Sequence, residues 1–352
     1  MKHNKKLNLI LIAIGLVFFV SSTFAQNFTN NTGGTYTAAA CGAVIKMKST
    51  SGTFNGTAQL GTSAANRIQG VVDWAATTNG QSVQGLYYTN LFVSGGTKTI
   101  EDGVYVSGAG CPSPLPGYTQ LTNGVGYWAT SSTRTYSGTF YYDGTGAQVI
   151  FPENNTSSGT NRYNNLDLSG GGAKSNNGIV HVDGVLTSAT GTNLTVGANF
   201  TVYGTGTSGL SGGVTVNGTN TTTFAFVGSG ATVNANGGVT VTTGLLDISI
   251  GNGTFNVPSG STLSLADGDG TTGSRLNLGA NSTLDIAGTF TNTDANHDNM
   301  TFDVTSTVAY TATSGTQNIV FTSDANSNNN YGNLTFSGSA TKNATGDIHT
   351  RG

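Results

Sequence analysis

The apolar positions of the chain occur in very short alternating runs. Between residues 194 and 304 the sequence repeats triplets in which a small polar residue stands between two apolar ones, as in residues 194–196 and 200–202. Gly, Asn, Ser and Asp, which favour turns, bound most of these triplets. No window shows an apolar period of 3.6 residues, so the pattern predicts an all-β chain with negligible helix in the mature protein.

Two all-β folds compete for this pattern. In a parallel β-helix (β-solenoid), short strands joined by long polar turns pair with their counterparts one rung away, about twenty residues along the chain. A β-sandwich requires longer strands of about five or six residues joined by hairpins. Triplets this short and this numerous favour the parallel β-helix. A right-handed coil is expected, because parallel crossovers are overwhelmingly right-handed.

An internal repeat supports a stacked architecture. Residues 163–184 and 331–352 align without a gap and are identical at nine of twenty-two positions, and residues 88–108 form a looser third copy. An aromatic residue and a Gln precede each Tyr-x-Asn-Leu segment. The predicted module copies therefore span about 70–108, 138–184 and 306–352, within a solenoid over residues 51–352 that follows an N-terminal cap at 26–50.

The first 25 residues have the organisation of an export signal. Lys2, Lys5 and Lys6 precede an apolar run over residues 7–20, and small residues lead up to Ala25. We expect cleavage after Ala25 and a secreted or cell-surface (extracellular) location. The alternative is a retained anchor, although the apolar run is short for a membrane span. No segment of the mature chain is predicted to form a transmembrane helix.

Charge and cysteine content narrow the possible partners. Charged residues make up 8% of the chain, the net charge is −3, and no basic cluster follows the signal, which argues against nucleic acid as a partner. Cys41 and Cys111 would enter an oxidising compartment, where an even count favours one disulfide. Two separately buried thiols are the alternative.

Few residues suggest binding chemistry. Asp267 and Asp269 in a glycine-rich turn could bind calcium, which is the one cofactor considered. Tyr127 and Trp128 could stack on sugar rings, whereas Trp74 occupies the repeated aromatic position and is expected in the core.

Catalytic and ice-binding interpretations find less support. A loop with Asp294, His297 and Asp298 lacks a nearby Arg or Lys, and His181 and His349 should point outward about eight rungs apart. A threonine face of the kind that binds ice could include Thr195, Thr201, Thr215 and Thr240. Outward positions that interrupt such an array are Asp247, Asn256, Ser264, Asn277 and Asp285.

The export signal, the Gly/Thr/Asn-rich rungs and the recurring Tyr-x-Asn-Leu…Ser-Gly…Lys units resemble the adhesin-like β-strand-repeat surface proteins of Gram-negative bacteria. The resemblance implies a non-enzymatic structural or adhesive protein whose partner is an extracellular glycan or a host or matrix surface. It also implies secretion through a C-terminal sorting region, which would lie past Gly352 because the last module is cut off there. The alternative is a carbohydrate-binding or carbohydrate-active (lyase or hydrolase) β-helix.

Overall fold

The computed structural model describes residues 28–30, 44–48, 50, 54–56, 61–93, 97–108, 125–127, 134–136, 138–152, 162–266, 273–293, 299–320, 322, 329–344 and 346–351. The strands of the N-terminal part are β1 (Phe28–Asn30), β2 (Val44–Met47), β3 (Phe54–Gly56), β4 (Ile68–Trp74), β5 (Gln81–Val83), β6 (Tyr87–Val93), β7 (Lys98–Ile100), β8 (Val104–Val106), β9 (Val125–Tyr127), β10 (Arg134–Tyr136), β11 (Thr139–Tyr142) and β12 (Gln148–Ile150). Those of the central part are β13 (Asn165–Leu168), β14 (Gly172–Asn176), β15 (Val180–Val182), β16 (Leu186–Ser188), β17 (Thr192–Val196), β18 (Phe200–Val202), β19 (Thr207–Leu210), β20 (Val214–Asn217), β21 (Thr223–Phe226), β22 (Thr232–Asn234), β23 (Val239–Ile248) and β24 (Thr254–Val257). The last are β25 (Thr262–Leu265), β26 (Ser274–Leu278), β27 (Thr283–Ile286), β28 (Thr289–Asn292), β29 (Met300–Phe302), β30 (Thr307–Tyr310), β31 (Thr316–Ile319), β32 (Asn333–Phe336) and β33 (Thr341–Ala344). A 3-10 helix spans Ala64–Asn66, and the described residues contain no α-helix.

All strand pairs are parallel, and the strands stack as a β-solenoid of about 10 turns. In the central part each turn contributes one strand to each of three faces. Face A is the long sheet that runs β2-β4-β6-β8-β11-β13-β16-β19-β22-β24-β27-β30-β32. Face B contains β12, β14, β17, β20, the first half of β23, β25 and β28, and face C contains β15, β18, β21, the second half of β23, β26 and β29. The predicted parallel β-helix is thereby confirmed, while its handedness stays a prediction.

The rungs vary in length more than the triplet spacing suggested. Leu166 pairs with Leu186, twenty positions later, as predicted. From β16 to β32, however, paired residues on face A are 22 to 29 positions apart, and Phe255 pairs with Leu284 at the long extreme. Turns of different lengths absorb the difference, because surface connections tolerate insertions at low entropic cost.

The core forms because the triplets turn their two apolar residues inward, except at residues 302–304, where Val304 is 50% exposed. In β18, Phe200 and Val202 are buried and Thr201 is half-exposed. Equivalent positions stack from rung to rung, so Phe200 pairs with Phe224, which pairs with Leu246. Each fully buried side chain of this size contributes about 1.5–3 kcal/mol, so the solenoid is stabilised along its whole length by one continuous core.

Glycines allow the backbones of successive rungs to approach closely at one corner. A Cβ on Gly204 would lie 1.8 Å from the carbonyl oxygen of Gly184, and one on Gly228 would lie 2.0 Å from that of Gly204. Any side chain at Gly204 would therefore force two rungs apart.

At the start of the chain, β2 lies within the predicted cap at 26–50 yet pairs with β4 as part of face A.

Candidate functional site

Each copy of the repeated module places a glutamine beside a lysine on neighbouring parallel strands. The glutamine is the first or second residue of the strand that follows the aromatic residue, and the lysine occupies the paired position one rung later. The three pairs are Gln81 with Lys98, Gln148 with Lys174, and Gln317 with Lys342. We refer to these three pairs as the repeated corner. These residues recur in the sequence repeat, but only the register of the parallel strands shows that they are paired.

The glutamine of each corner joins two rungs. Gln148 donates from Nε2 to the carbonyl of Val106 at 2.8 Å, and its Oε1 accepts from the amide of Gly144 at 3.0 Å. The same bonds link Gln81 with Met47 and Ala76, and Gln317 with Ile286 and Ala312. An amide side chain suits this position because it both donates and accepts, and so satisfies a buried carbonyl and a buried N–H together.

The lysine satisfies the carbonyl groups of the same turn. Lys174 is fully buried and donates from Nζ to the carbonyls of Gly144 at 2.6 Å, Gly171 at 2.9 Å and Gly146 at 3.4 Å. Burial lowers the pKa of Lys174 to about 8, and the nearby Asp143 carboxylate opposes that shift. A lysine of lowered pKa can act as a nucleophile, but this one is closed to solvent and committed to backbone carbonyls.

The other two lysines repeat this arrangement. Lys98 donates to the carbonyl of Ala76 at 2.7 Å, and burial lowers its pKa to about 8 against the opposing charge of Asp73. Lys342 donates to the carbonyl of Ala312 at 3.1 Å and is half-buried. All three corner lysines therefore serve the fold, and Lys98 and Lys174, whose pKa values are lowered, are buried away from any substrate.

A pair of buried tyrosines adjoins two of the corners. The hydroxyls of Tyr142 and Tyr163 lie 2.9 Å apart, and Tyr142 Oη also accepts from the amide of Phe151. Tyr310 and Tyr331 repeat the contact at 3.1 Å, with Tyr310 accepting from the amide of Val320. Burial raises the pKa of Tyr310 to about 12 and that of Tyr331 well above its ordinary value. In the first copy Trp74, fully buried as expected, replaces the first tyrosine.

Three outward tyrosines on face A stack on one another. The ring centroids of Tyr87 and Tyr105 are 3.9 Å apart, and those of Tyr105 and Tyr141 are 4.1 Å apart. The guanidinium of Arg67 lies over the far side of this stack, 5.3 Å from the Tyr87 centroid. Because the rings cover one another's faces, the stack presents mainly edges and hydroxyls, which suits it poorly to stacking on a sugar.

The register sorts the outward polar residues onto different faces. Face B carries one unbroken line of hydroxyl residues over six consecutive rungs, here called the hydroxyl column: Ser175, Thr195, Thr215, Thr240, Ser264 and Thr291. Thr201, Asp247 and Asn277 lie on face C, and Asn256 and Asp285 lie on face A. The acidic and amide residues that seemed to interrupt a threonine array therefore belong to other faces, and Ser264 is part of the column.

The hydroxyl column differs from the other outward lines in its hydrogen bonding. On faces A and C, outward side chains bond to one another, as Asn256 does to Asn234 and Asn277 to Asp247, both at 2.8 Å. Within the described part of the chain, none of the six hydroxyls of the column has a protein partner. Their hydrogen-bonding capacity is directed to the solvent side of face B.

A groove opens where face A meets face B near the C-terminal end. Only two residues, Ala287 and Gly288, connect β27 to β28, whereas four connect β24 to β25 and five connect β30 to β31. The short connection forms the floor, and the longer turns on either side form the walls. The resulting cavity, here called the turn groove, has a volume of about 200 Å³ and is lined by Ser259, Thr289, Ser314, Thr316, Gln317 and Asn318, among others.

Most residues that the sequence singled out for chemistry lie outside the described part of the chain. This holds for Cys41 and Cys111, for Asp267 and Asp269, for Trp128, and for Asp294, His297 and Asp298. Tyr127 ends β9, which pairs with β6, and its side chain is not among the described ones. The disulfide, the calcium site and the sugar-stacking pair stay predictions.

The described histidines face outward, as the strand parity predicted. His181 is half-exposed on β15 and packs edge-on against Tyr203 with ring centroids 5.5 Å apart, and His349 is half-exposed near the end of the chain. In the residues described, no group of three or more His, Cys, Asp or Glu side chains could hold a metal ion. A search of the same residues finds no helix long and apolar enough to cross a membrane.

The chain was compared with known proteins at three levels. No family model, no curated protein and no solved structure matches it. The geometry described above is therefore the basis for any functional conclusion.

Proposed function

We propose that the chain is an exported, non-enzymatic repeat protein with a structural or adhesive role at the cell surface. The observation that carries the proposal is the use of its buried titratable groups. Lys98, Lys174, Tyr310 and Tyr331, whose pKa values are displaced by burial, all bond to backbone or to one another and hold rungs or turns together. Displaced pKa values often indicate an active site, but here the groups that have them stabilise the fold.

The outward surface also supports a scaffold role. Successive rungs present the same kinds of polar side chain in lines that run parallel to the solenoid axis, as on the hydroxyl column. A surface of this kind offers many equivalent contacts along its length, and such extended surfaces are what repeat proteins use for binding. An adhesive protein gains avidity from repeated weak contacts without needing one deep site.

Export is tested by following the chain in a Gram-negative host. When residues 1–352 are expressed, the product is expected in the periplasmic, surface or medium fraction with an N-terminus at Gln26, as read by mass spectrometry. A matched chain in which Ala25 is replaced by Arg should keep residues 1–25, because signal cleavage requires a small residue at that position. Recovery of the wild-type chain in the cytosol, uncleaved and starting at Met1, would contradict the proposal.

The alternative function is a carbohydrate-binding or carbohydrate-active β-helix. The turn groove and the uncharged hydroxyl column favour carbohydrate binding. Lyase or hydrolase activity is tested by incubating the purified chain with a panel of neutral and acidic polysaccharides. Release of reducing ends or of unsaturated products would overturn the non-enzymatic assignment, because glycosidic cleavage by either route produces one of these signals.

A further inference from the structure

We propose that the turn groove binds one unit of a neutral glycan and that the glycan continues along the hydroxyl column of face B. The inference rests on the proposed adhesive function and names the class of ligand. The groove begins at Thr289, and the column ends at Thr291 on the same strand, β28. The two features therefore form one continuous polar surface.

The hydrogen-bonding groups of the groove are free to bind a ligand. Within the described residues, the hydroxyls of Ser259, Thr289, Ser314 and Thr316 have no protein partner, and all four side chains are exposed. Asn318 accepts one bond from Asn343 at its Oδ1 and keeps its amide hydrogens available. Hydroxyls both donate and accept, so they match the hydroxyls of a sugar in either direction.

The groove is also held in a defined shape. Gln317 is buried and donates from Nε2 to the carbonyls of Ile286 and Gly288 at 2.6 and 3.2 Å. The amides of Ala287 and Gly288 both donate to the carbonyl of Val257 at 2.9 Å. These bonds fix the floor against both neighbouring rungs, which lowers the ordering cost of binding.

The charge distribution selects a neutral ligand. No described residue lining the groove is charged, and the hydroxyl column contains no charged residue either. Along the same rungs, the charged side chains that the structure describes and that reach the surface lie on faces A and C or at their turns: Asp167, Asp183, Asp247, Arg275, Asp285 and Asp303. An acidic glycan would require Arg or Lys, which supply the strong contacts to carboxylate or sulfate.

Size and spacing fit an extended polymer. The groove's volume of about 200 Å³ is smaller than the roughly 300–1,000 Å³ of pockets that enclose whole drug-sized ligands, so it accommodates one small unit of a longer chain. The hydroxyl column offers one group per rung at a spacing of about 4.8 Å. A glycan lying along the solenoid axis would meet a new hydroxyl at each rung.

The test measures binding of neutral hexasaccharides of β-1,4-glucose, β-1,3-glucose, N-acetylglucosamine and mannose to the purified chain by titration calorimetry. Hexagalacturonate serves as the acidic probe. Thr289→Leu removes a hydroxyl and fills the groove, whereas Thr262→Leu makes the same change at the paired position one rung away, outside the groove. Circular dichroism and thermal unfolding of each variant establish that it folds.

We expect at least one neutral hexasaccharide to bind, with at least tenfold weaker binding to Thr289→Leu and less than twofold change for Thr262→Leu. Thr316→Val, which removes only the hydroxyl, should weaken the same ligand severalfold without changing the fold. Absence of binding by every neutral probe, preference for hexagalacturonate, or equal effects of the two leucine variants would each overturn the proposal. Inhibition of ice recrystallisation without saccharide binding would assign the column to ice instead. A failure here leaves the export experiment unaffected, so the two proposals fail separately.

Discussion

The Nζ atom of Lys174 lies 2.6 Å from the carbonyl oxygen of Gly144, thirty positions earlier in the chain. Gly144 in turn donates its amide to Gln148, the residue beside Lys174 in the parallel register. One turn is therefore closed by two side chains that the module repeats in each of its copies. The contact explains why a chain with so few charges buries lysine.

Replacing Lys174 with Met should destabilise the solenoid by about 2–4 kcal/mol. The substitution leaves the buried carbonyl of Gly144 and the half-buried carbonyl of Gly171 without their donor, and a buried group left unpaired costs about 1–3 kcal/mol. Urea unfolding together with hydrogen exchange at the affected turn measures the effect, since a repeat array need not unfold in one step. Lys48→Met, at an exposed position, is the control and should change stability by less than about 0.5 kcal/mol.

Stability should rise between pH 8 and about pH 10. Lys98 and Lys174 have folded pKa values of about 8, below the 10.5 of an ordinary lysine, so in this window the unfolded chain binds more protons than the folded one. The folded state therefore gains stability as the pH increases. Lys174→Met should reduce this rise, which urea midpoints at pH 7.5, 9 and 10 would reveal.

Above pH 10 the trend should reverse. Burial raises the pKa of Tyr310 to about 12, whereas an unfolded tyrosine loses its proton near pH 10. The unfolded chain is then the less protonated state, so stability falls as the pH increases from 10 to 12. Tyr310→Phe should make this fall shallower, and a steady rise through pH 12 in the wild-type chain would contradict the assignment.

Gly204→Ala should disrupt the stack at one corner. The new Cβ would lie 1.8 Å from the carbonyl oxygen of Gly184, and backbone cannot yield as a flexible side chain can. We expect a loss of more than about 2 kcal/mol, as for other overpacked sites. Gly209→Ala, in the same region of the chain, meets nothing within 4 Å and should be neutral or stabilising by up to about 1 kcal/mol. Comparable unfolding midpoints for the two variants would refute this account of the corner.

Tyr142→Phe should cost about 1–3 kcal/mol. The substitution leaves the amide of Phe151 without its acceptor and removes the bond to Tyr163. The adjacent Tyr141→Phe retains its place in the outward ring stack and should change the unfolding midpoint much less. Thermal unfolding of both single variants and of the wild type provides the comparison.

Much of the fold could be predicted from local patterns. A triplet such as Phe200, Thr201 and Val202 already implies two inward side chains and one outward one, because successive residues of a strand point to opposite sides. Likewise, the paired Leu166 and Leu186 stand one short rung apart in the sequence. These features depend only on residues that are adjacent in the sequence or one short repeat apart, so they can be predicted from the sequence.

The candidate site could not be derived in the same way. Thr195 and Thr201 stand six positions apart in similar triplets, yet they lie on different faces, and Ser264 rather than Thr201 continues the line of Thr215 and Thr240. Because paired residues lie between 17 and 36 positions apart, the partner of each outward residue cannot be assigned by counting. The recurrence of Gln and Lys in all three copies could have identified the corner residues. Their hydrogen-bond partners could not be predicted, because these are backbone groups, which every residue type has.

The sequence by itself therefore determined the class of fold, the inward and outward parity of most strands and the repetition of the module. These follow from side-chain alternation and from turn-forming residues, both of which act locally. The tertiary structure alone decided which outward residues align, where a short turn leaves the groove beside Thr289, and which lysines are buried. Each of these depends on register and turn length across rungs, and therefore on how distant parts of the chain pack against one another.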